Sequence, residues 1–176
     1  MENIKIVDNF LNNDELNKFI QIINTHNWKY GHSSGSEYEH FDNKFFAAYD
    51  LGDYFENYMM QKLEFIFKKK FKLDRNYMHV QTYGQNGSYH TDTNIDTPNT
   101  YTFCIYITDI PDKLMENADG DFLIKIPNSK AIISIHTIMN RGVFFPSTYV
   151  HKGMAYNRYF HNKRLCITWK LMEMIE

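Results

Sequence analysis

The stretch Arg164-Leu165-Cys166-Ile167-Thr168-Trp169-Lys170-Leu171 alternates large apolar residues with smaller or polar ones. Successive side chains of a β-strand point to opposite faces, so this period of two predicts a strand with two different faces. The outer face is expected to pack against helices and carries Leu165, Ile167, Trp169 and Leu171. The inner face carries Arg164, Cys166 and Thr168. A buried arginine needs an anionic partner, because burying its charge unpaired is costly. Three alternatives therefore stay open for Arg164: a salt bridge to a protein carboxylate, a strand-end position in solvent, or an anionic ligand.

The stretch Thr102–Thr108 has the same parity. Its predicted outer face carries Phe103, Ile105 and Ile107, and its inner face carries Thr102, Cys104 and Tyr106. The Tyr106 hydroxyl could donate to the same anion as Arg164, and a core tyrosine bonded to backbone is an equally weighted alternative. Cys104 and Cys166 lie inside these apolar runs, so we expect both to be reduced core residues.

Further runs of β-branched and aromatic residues follow residue 76, separated by turn residues. Together with the two runs above they predict strands at 77–83, 101–108, 121–126, 130–138, 142–145, 148–152 and 164–171. The preceding segment predicts a strand over Ile4–Val7, a helix over Asn12–His26 with Asn13 as its N-cap, a loop over Gly31–Lys44 and a helix over Gly52–Lys70. This order favours one mostly-β domain, residues 1–176, with a helical preface at 1–76 and a sandwich or barrel at 77–171, braced by helices on one face.

The composition narrows the classes of function. The chain has 176 residues, 43% of them hydrophobic and 16% aromatic, with a net charge of −2. This globular and slightly acidic composition argues against electrostatic binding to nucleic acid or to an anionic membrane. No apolar run approaches the roughly 18 residues of a membrane span, and Met1–Lys5 lacks a signal pattern, so we expect a soluble cytoplasmic protein.

The triplet His90-Thr91-Asp92 is the first candidate metal site. On a strand, residues two apart share a face, so an imidazole and a carboxylate could bind one cation. A His-x-Asp triplet is expected about 0.5 times by chance in a chain of this size, and a surface hydrogen bond is the simple alternative. A third ligand would complete the two-histidine, one-carboxylate set that is typical of non-haem iron(II) oxygenases.

Three later histidines could supply that ligand. His136 lies in an alternating strand, where a structural role is favoured, and His161 lies in a polar stretch and is expected to be exposed. His151 follows a strand and a turn, Gly142–Ser147, and precedes Lys152-Gly153. It is the best placed of the three to return a ligand to the mouth of a barrel.

The ordered set of motifs resembles the Fe(II)/2-oxoglutarate oxygenase superfamily, and within it the prolyl-4-hydroxylase-like branch. The resemblance covers roughly residues 77–171. It runs through Tyr83–Asp92, Ile105–Asp109, Gly120–Leu123, Val143–Ser147 with His151–Gly153, and Arg164–Leu171. It implies a double-stranded β-helix (jelly-roll, cupin-like) core, with the N-terminal helices packed on one sheet.

Carried onto this chain, the resemblance implies His90, Asp92 and His151 as catalytic metal ligands and Arg164 as the partner of the distal oxoglutarate carboxylate. Tyr106 and Thr168 would lie close to that carboxylate, and Tyr83 near the metal-bound end of the cosubstrate. The chain departs from the pattern of the family at two places. Arg164 stands thirteen residues after His151, which implies an inserted loop at Met154–Lys163, and Gly120-Asp121 replaces a double glycine.

The implied activity is a dioxygenase that uses Fe(II), 2-oxoglutarate and O2, with ascorbate as an optional reductant, and releases succinate and CO2 while hydroxylating a substrate. The substrate would be a peptide, with peptidyl proline favoured, or a small molecule. Gly31–Lys44, with Tyr38, His40 and Phe41, and Thr93–Thr100, with Asn94 and Asp96, are expected to rim the site. Two other classes stay open: a cupin-like metal-binding protein or isomerase without oxygenase activity, and a β-sandwich that only binds.

Overall fold

The computed structural model describes residues 3–33, 44–94 and 96–175. The strands within these ranges are β1 (Lys5–Val7), β2 (Lys29–His32), β3 (Phe45–Tyr49), β4 (Phe71–Gln81), β5 (Thr100–Ile107), β6 (Phe122–Lys125), β7 (Ile132–Ile135), β8 (Arg141–Pro146), β9 (His151–Gly153) and β10 (Arg164–Glu173). The helices are α1 (Asn13–Thr25), α2 (Met59–Phe67), which continues a π-helical turn at Tyr54–Tyr58, and α3 (Asp112–Met115).

Two antiparallel sheets form the body of the protein. Among the described residues, the larger sheet has seven strands in the order β1-β8-β5-β10-β4-β3-β2, and the smaller has three in the order β7-β6-β9. One apolar cluster lies between the sheets and includes Cys104, Phe122, Val143 and Phe145. The molecule therefore has the predicted mostly-β, jelly-roll architecture, and its two central strands, β5 and β10, are the two stretches whose parity was clearest.

The outer face of the larger sheet packs against the helices, as the alternation predicts. Leu165, Ile167, Trp169 and Leu171 belong to the main core cluster, together with buried residues of α1, the π-helical turn and α2. The indole Nε1 of Trp169 donates to the carbonyl of Phe55 at 2.9 Å, which satisfies the polar end of this large buried side chain. The predicted faces of β5 and β10 are thus confirmed.

The N-terminal helix spans Asn13–Thr25, inside the predicted range Asn12–His26, and its N-cap lies one residue earlier than predicted. Asn12 is the N-cap, because its side chain accepts a hydrogen bond from the Glu15 backbone N–H at 3.0 Å. The Glu15 carboxylate in turn accepts from the Asn12 backbone N–H at 2.7 Å, which completes a capping box. The assignment of Asn13 as N-cap was wrong, since Asn13 already lies in the first helical turn.

The predicted helix over Gly52–Lys70 is shorter and less regular in the structure. It ends at Phe67, because Lys68 adopts a left-handed conformation with φ of 56°, and the chain enters β4 at Phe71. The strands β2 and β3 were not predicted. They lie within the helical preface expected at 1–76 and extend the larger sheet. Of the predicted loop Gly31–Lys44, positions 31 and 32 belong to β2, and 34–43 lie outside the described residues.

Among the described residues, none of the helices combines the length and the apolar character that crossing a membrane requires.

Candidate metal centre

The three predicted metal ligands converge at one end of the cavity between the sheets. The ligating atoms of His90, Asp92 and His151 all lie within 4.8 Å of one another. Nε2 of His90 is 3.5 Å from Oδ1 of Asp92, and Nε2 of His151 is 3.4 Å from Oδ2 of the same carboxylate. Two imidazoles and one carboxylate at these separations could bind a single divalent cation from one side.

Backbone hydrogen bonds hold these residues together. His151 opens β9, whereas His90 and Asp92 lie in the loop between β4 and β5, where His90 forms an isolated bridge with His151. The backbones of His90 and His151 exchange two hydrogen bonds, at 3.0 and 2.9 Å, and the Asp92 N–H donates to the Ser147 carbonyl at 2.9 Å. The shared orientation of His90 and Asp92 therefore comes from pairing with another part of the chain.

Each histidine is oriented by a carbonyl two residues before it. Nδ1 of His90 lies 2.9 Å from the Ser88 carbonyl, and Nδ1 of His151 lies 2.8 Å from the Tyr149 carbonyl. A carbonyl only accepts, so each Nδ1 carries the proton and each Nε2 presents a lone pair toward Asp92. Burial also lowers the pKa of His151 to about 4, so its imidazole is neutral at neutral pH and ready to bind metal.

Asp92 is ionised and held from a second side. Thr102 donates to its Oδ2 at 2.6 Å, and the Nζ of Lys170, which is only 5% exposed, forms an ion pair with the same oxygen. Burial opposes ionisation, but the charge of Lys170 and the neighbouring histidines keep the pKa of Asp92 well below its usual value. Lys170 was not identified from the sequence, although its parity matches that of Arg164.

Arg164 lies deep in the same cavity and is 1% exposed. Its Nε donates to the Gly120 carbonyl and its Nη1 donates to Oε1 of Gln81, both at 2.7 Å. Among the described residues, no carboxylate lies within ion-pair distance of this guanidinium. The two protein-based alternatives, a salt bridge and a solvent-exposed strand end, therefore do not describe it, and its charge is available to an anionic ligand.

The aromatic ring of Tyr106 lies over that guanidinium. The Arg164 Cζ is 5.0 Å from the ring centroid, and the tyrosine is 1% exposed. Its hydroxyl has no hydrogen-bond partner among the described residues, so the alternative of a bond to backbone does not hold. An unpaired buried hydroxyl is costly, and beside a guanidinium with no carboxylate partner among the described residues it fits the carboxylate of a ligand. Burial raises the pKa of Tyr106 well above its usual value, so it remains a donor.

Thr168 and the two cysteines line the same cavity on its inner face. The Thr168 hydroxyl is 3.6 Å from Sγ of Cys104 and 3.6 Å from Sγ of Cys166. Both cysteines are buried free thiols, as predicted. Thr168 is thus brought to the predicted cavity, although its present neighbours are sulfur atoms.

Tyr83 is not brought to this cavity. It is 64% exposed and lines a separate groove beside Gly120 and Tyr156. The strand β4 ends at Gln81, and a turn in which the Gln85 N–H donates to the Thr82 carbonyl at 3.0 Å directs Tyr83 outward. Gln81 is the residue of this region that reaches the site.

His136 and His161, the two other candidates for the third ligand, lie outside the cavity, and His161 is exposed as the sequence predicts. His136 pairs with Asp121 at 2.8 Å on the exposed side of the smaller sheet. Asn94 and Asp96 are exposed and do not line the cavity, and the expected rim residues Tyr38, His40 and Phe41 lie outside the described residues.

The cavity as a whole has a volume of about 320 Å³. One end holds the three predicted metal ligands and Lys170, and the deep end holds Arg164 and Tyr106. A further part of the lining is an aromatic wall that the sequence did not predict, formed by His32, Phe45, Tyr49, Tyr77 and His79. A small dicarboxylate with a chelating end could therefore bridge the metal ligands and the guanidinium and leave the wall for another molecule.

No protein-family model and no curated protein sequence matches the chain. Solved structures do match in fold. A 2OG-Fe(II) oxygenase family oxidoreductase from Burkholderia pseudomallei is similar over 97% of this chain and 85% of its own, with a TM-score of 0.74 and 9% identity. A Trichoplax adhaerens prolyl hydroxylase, in complex with a hypoxia-inducible-factor peptide fragment, is similar over 97% of this chain and 84% of its own, with a TM-score of 0.71 and 14% identity.

A prolyl-4-hydroxylase from Pseudomonas putida is similar over 98% of this chain and 94% of its own, with a TM-score of 0.62 and 12% identity. The fold is thereby shared along nearly the whole length of both chains. The cavity adds two imidazoles, one carboxylate and a buried guanidinium that has no carboxylate partner among the described residues. The chain thus has the jelly-roll fold of the 2-oxoglutarate- and Fe(II)-dependent oxygenases, prolyl hydroxylases among them, and its His-Asp-His group could hold a divalent metal ion.

Proposed function

We propose that the protein is an Fe(II)- and 2-oxoglutarate-dependent dioxygenase that hydroxylates a substrate with release of succinate and CO2. One observation carries the proposal: the three convergent ligands share a cavity with a buried guanidinium and a buried hydroxyl that have no anionic partner among the described residues. A metal-binding module alone would have no use for that second, anion-binding end.

The chain's own residues have distinct tasks in this proposal. His90, Asp92 and His151 would hold the metal. The carbonyls of Ser88 and Tyr149 accept from the Nδ1 atoms, so Nε2 of each imidazole would be the metal-binding nitrogen. Arg164 and Tyr106 would bind the distal carboxylate of 2-oxoglutarate and so orient the molecule toward the metal. Iron with bound 2-oxoglutarate and O2 supplies the oxidising chemistry, and the protein supplies position and charge.

The first test removes metal ligands. Asp92→Ala and His151→Ala are expected to abolish iron-dependent formation of succinate, because each leaves only two ligands. His136→Ala is the matched control, since it removes a histidine that pairs with Asp121 outside the cavity. Undiminished turnover in both ligand variants would remove the proposal.

The second test removes the guanidinium. Arg164→Ala is expected chiefly to raise the 2-oxoglutarate concentration needed for half-maximal succinate formation. Arg158→Ala is its control, because Arg158 is exposed, lies outside the cavity and donates to its neighbour Tyr159. If Arg164→Ala left the requirement unchanged, Arg164 would be a structural residue.

A cupin-like protein without oxygenase activity is the second candidate. Anaerobic addition of Fe(II) and 2-oxoglutarate distinguishes the two, because chelation of iron by the oxoacid gives a weak visible charge-transfer band. A cupin or a scaffold that only binds would give no such band.

The substrate we propose to test first is a peptidyl proline, because prolyl hydroxylases are among the structures of similar fold. A non-haem alpha-ketoglutarate-dependent epimerase of nogalamycin biosynthesis, with a TM-score of 0.67 and 11% identity, is also among them. Succinate formation should therefore be screened with prolyl peptides, amino acids and other small metabolites in parallel.

A further inference from the structure

The cavity has an excess of positive charge. Within the described residues, its lining includes the cations Arg75, Arg164 and Lys170 but a single carboxylate, Asp92. In the proposed function Arg164 binds the distal carboxylate of 2-oxoglutarate, and the charge of Asp92 is shared with the metal. Among the described residues, the charges of Lys170 and Arg75 are then not fully compensated.

These two cations lie opposite each other on the inner face of the larger sheet. Lys170 of β10 and Arg75 of β4 are paired in the antiparallel register, and both line the cavity. Residues so paired have Cα atoms about 4.5–5.5 Å apart, and like charges there are destabilising. Lys170 has Asp92 as a partner, but no carboxylate lies within ion-pair distance of Arg75 in residues 3–33, 44–94 and 96–175.

The unpredicted aromatic wall begins beside these charges. The Arg75 guanidinium carbon lies 6.0 Å from the centroid of Tyr77, and the Tyr77 ring lies 6.0 Å from that of Tyr49. The ring of His32 stacks on that of His79 at 5.9 Å. Aromatic faces of this kind bind flat or apolar groups, so a charged edge and an apolar wall adjoin in one cavity.

The histidines of the wall do not add charge. Burial, and then the nearby charge of Arg75, lowers the pKa of His32 to about 4, and burial followed by the charge of Arg164 lowers that of His79. Both are therefore neutral at neutral pH. The anion-attracting part of the wall is thus confined to its Arg75–Lys170 edge.

We infer that the substrate carries an anionic group, a carboxylate or a phosphate, that binds between Arg75 and Lys170 while a flat apolar part packs on the wall of His32, Tyr49, Tyr77 and His79. This inference rests on the proposed function, because it assigns Arg164 to 2-oxoglutarate. Charge-assisted hydrogen bonds to a guanidinium are among the strong ones, so a neutral analogue should bind at least tenfold more weakly.

The test uses protein loaded with Mn(II) and saturating 2-oxoglutarate, so that Arg164 is occupied and binding is measured without turnover. Titration calorimetry would compare two matched pairs of probes: 3-phenylpropionate with 3-phenylpropionamide, and phenyl phosphate with phenol. A third pair, prolyl peptides with Glu or Gln beside the proline, asks whether the anion can come from a peptide side chain. In at least one pair the acid is expected to bind at least tenfold more tightly.

Arg75→Gln is expected to abolish that preference, whereas Arg158→Gln, an arginine outside the cavity, should leave it intact. Arg75 lies on an exposed part of β4 and outside the proposed metal and cosubstrate ligands, and an unchanged melting temperature of the variant would establish that it folds. Equal affinities within every pair, no millimolar binding of any acid, or a preference that survives Arg75→Gln would overturn the inference.

A separate titration distinguishes failure of the proposed function from failure of the inference. The same protein is first titrated with 2-oxoglutarate in the presence of Mn(II). Absence of 2-oxoglutarate binding overturns both the function and the inference, whereas normal 2-oxoglutarate binding without an acid preference overturns the inference alone.

Discussion

In the proposed function, Gly153→Ala should weaken binding of the distal carboxylate of 2-oxoglutarate without replacing any of its proposed ligands. A Cβ at position 153 would lie 2.8 Å from Nη1 of Arg164 and 3.0 Å from Nη2. Carbon and nitrogen in van der Waals contact need about 3.5 Å. The guanidinium must therefore move by several tenths of an ångström, away from its 2.7 Å hydrogen bond to Gln81.

The size of the effect follows from the interaction at risk. A hydrogen bond to a charged group contributes about 1.5–3 kcal/mol, and 1.4 kcal/mol is a factor of ten in binding. We expect Gly153→Ala to raise the half-saturating concentration of 2-oxoglutarate roughly 10- to 100-fold. Crowding of a packed interior should also lower the free energy of unfolding by about 1–3 kcal/mol.

A second glycine separates these two effects. A Cβ at Gly142 would lie 2.8 Å from the ring of Phe103, which belongs to the outer core rather than to the cavity. Gly142→Ala should therefore cost similar stability and leave the 2-oxoglutarate requirement unchanged. The assay is succinate formation against 2-oxoglutarate concentration, with urea unfolding alongside. Equal half-saturation in Gly153→Ala and the unaltered protein would refute the assignment of Arg164.

Two further predictions concern stability. Asn140→Ala should lower the free energy of unfolding by roughly 2–4 kcal/mol in urea titrations, because the Asn140 side chain makes two buried hydrogen bonds to the Leu11 backbone, at 2.8 and 2.7 Å; a loss below 1 kcal/mol would contradict this. The metal-free protein should lose stability as the pH falls from 6.5 toward 4, because the unfolded chain takes up protons that buried His32 and His79, with lowered pKa values, do not. Each histidine contributes a slope of up to about 1.4 kcal/mol per pH unit, so His32→Gln should flatten the profile, and an unchanged slope would count against a neutral His32.

The parts of the site that were predictable follow from strand alternation. Arg164, Tyr106 and Thr168 lie on regular strands, so the period of two placed each of them on the correct face before any contact was known. Lys170 obeys the same parity and was still missed, because lysine is rarely buried and the pattern gives no sign of a partner such as Asp92. The ion pair joins residues far apart in the chain, and only the fold brings them together.

Other features depend on long-range pairing that the sequence does not encode locally. The strand β3 has no alternation of apolar and polar residues, and it becomes a strand because it pairs with β4. The aromatic wall depends on that pairing and was therefore missed. The outward turn of Tyr83 reflects a similar limit, since the end of β4 at Gln81 is set by a turn rather than by composition.

Among the described residues, backbone hydrogen bonds join the loop that carries His90 and Asp92 to β9, through His90 with His151 and Gly87 with Gly153, and Asp92 donates to the Ser147 carbonyl. A loop held to the edge of a sheet by a short run of hydrogen bonds opens more often than the whole molecule unfolds. One such opening would carry two of the three proposed metal ligands away in a single motion. In the proposed function, exchange of the cation should therefore proceed at the rate of this small rearrangement, and the site could be emptied and refilled while both sheets stay intact.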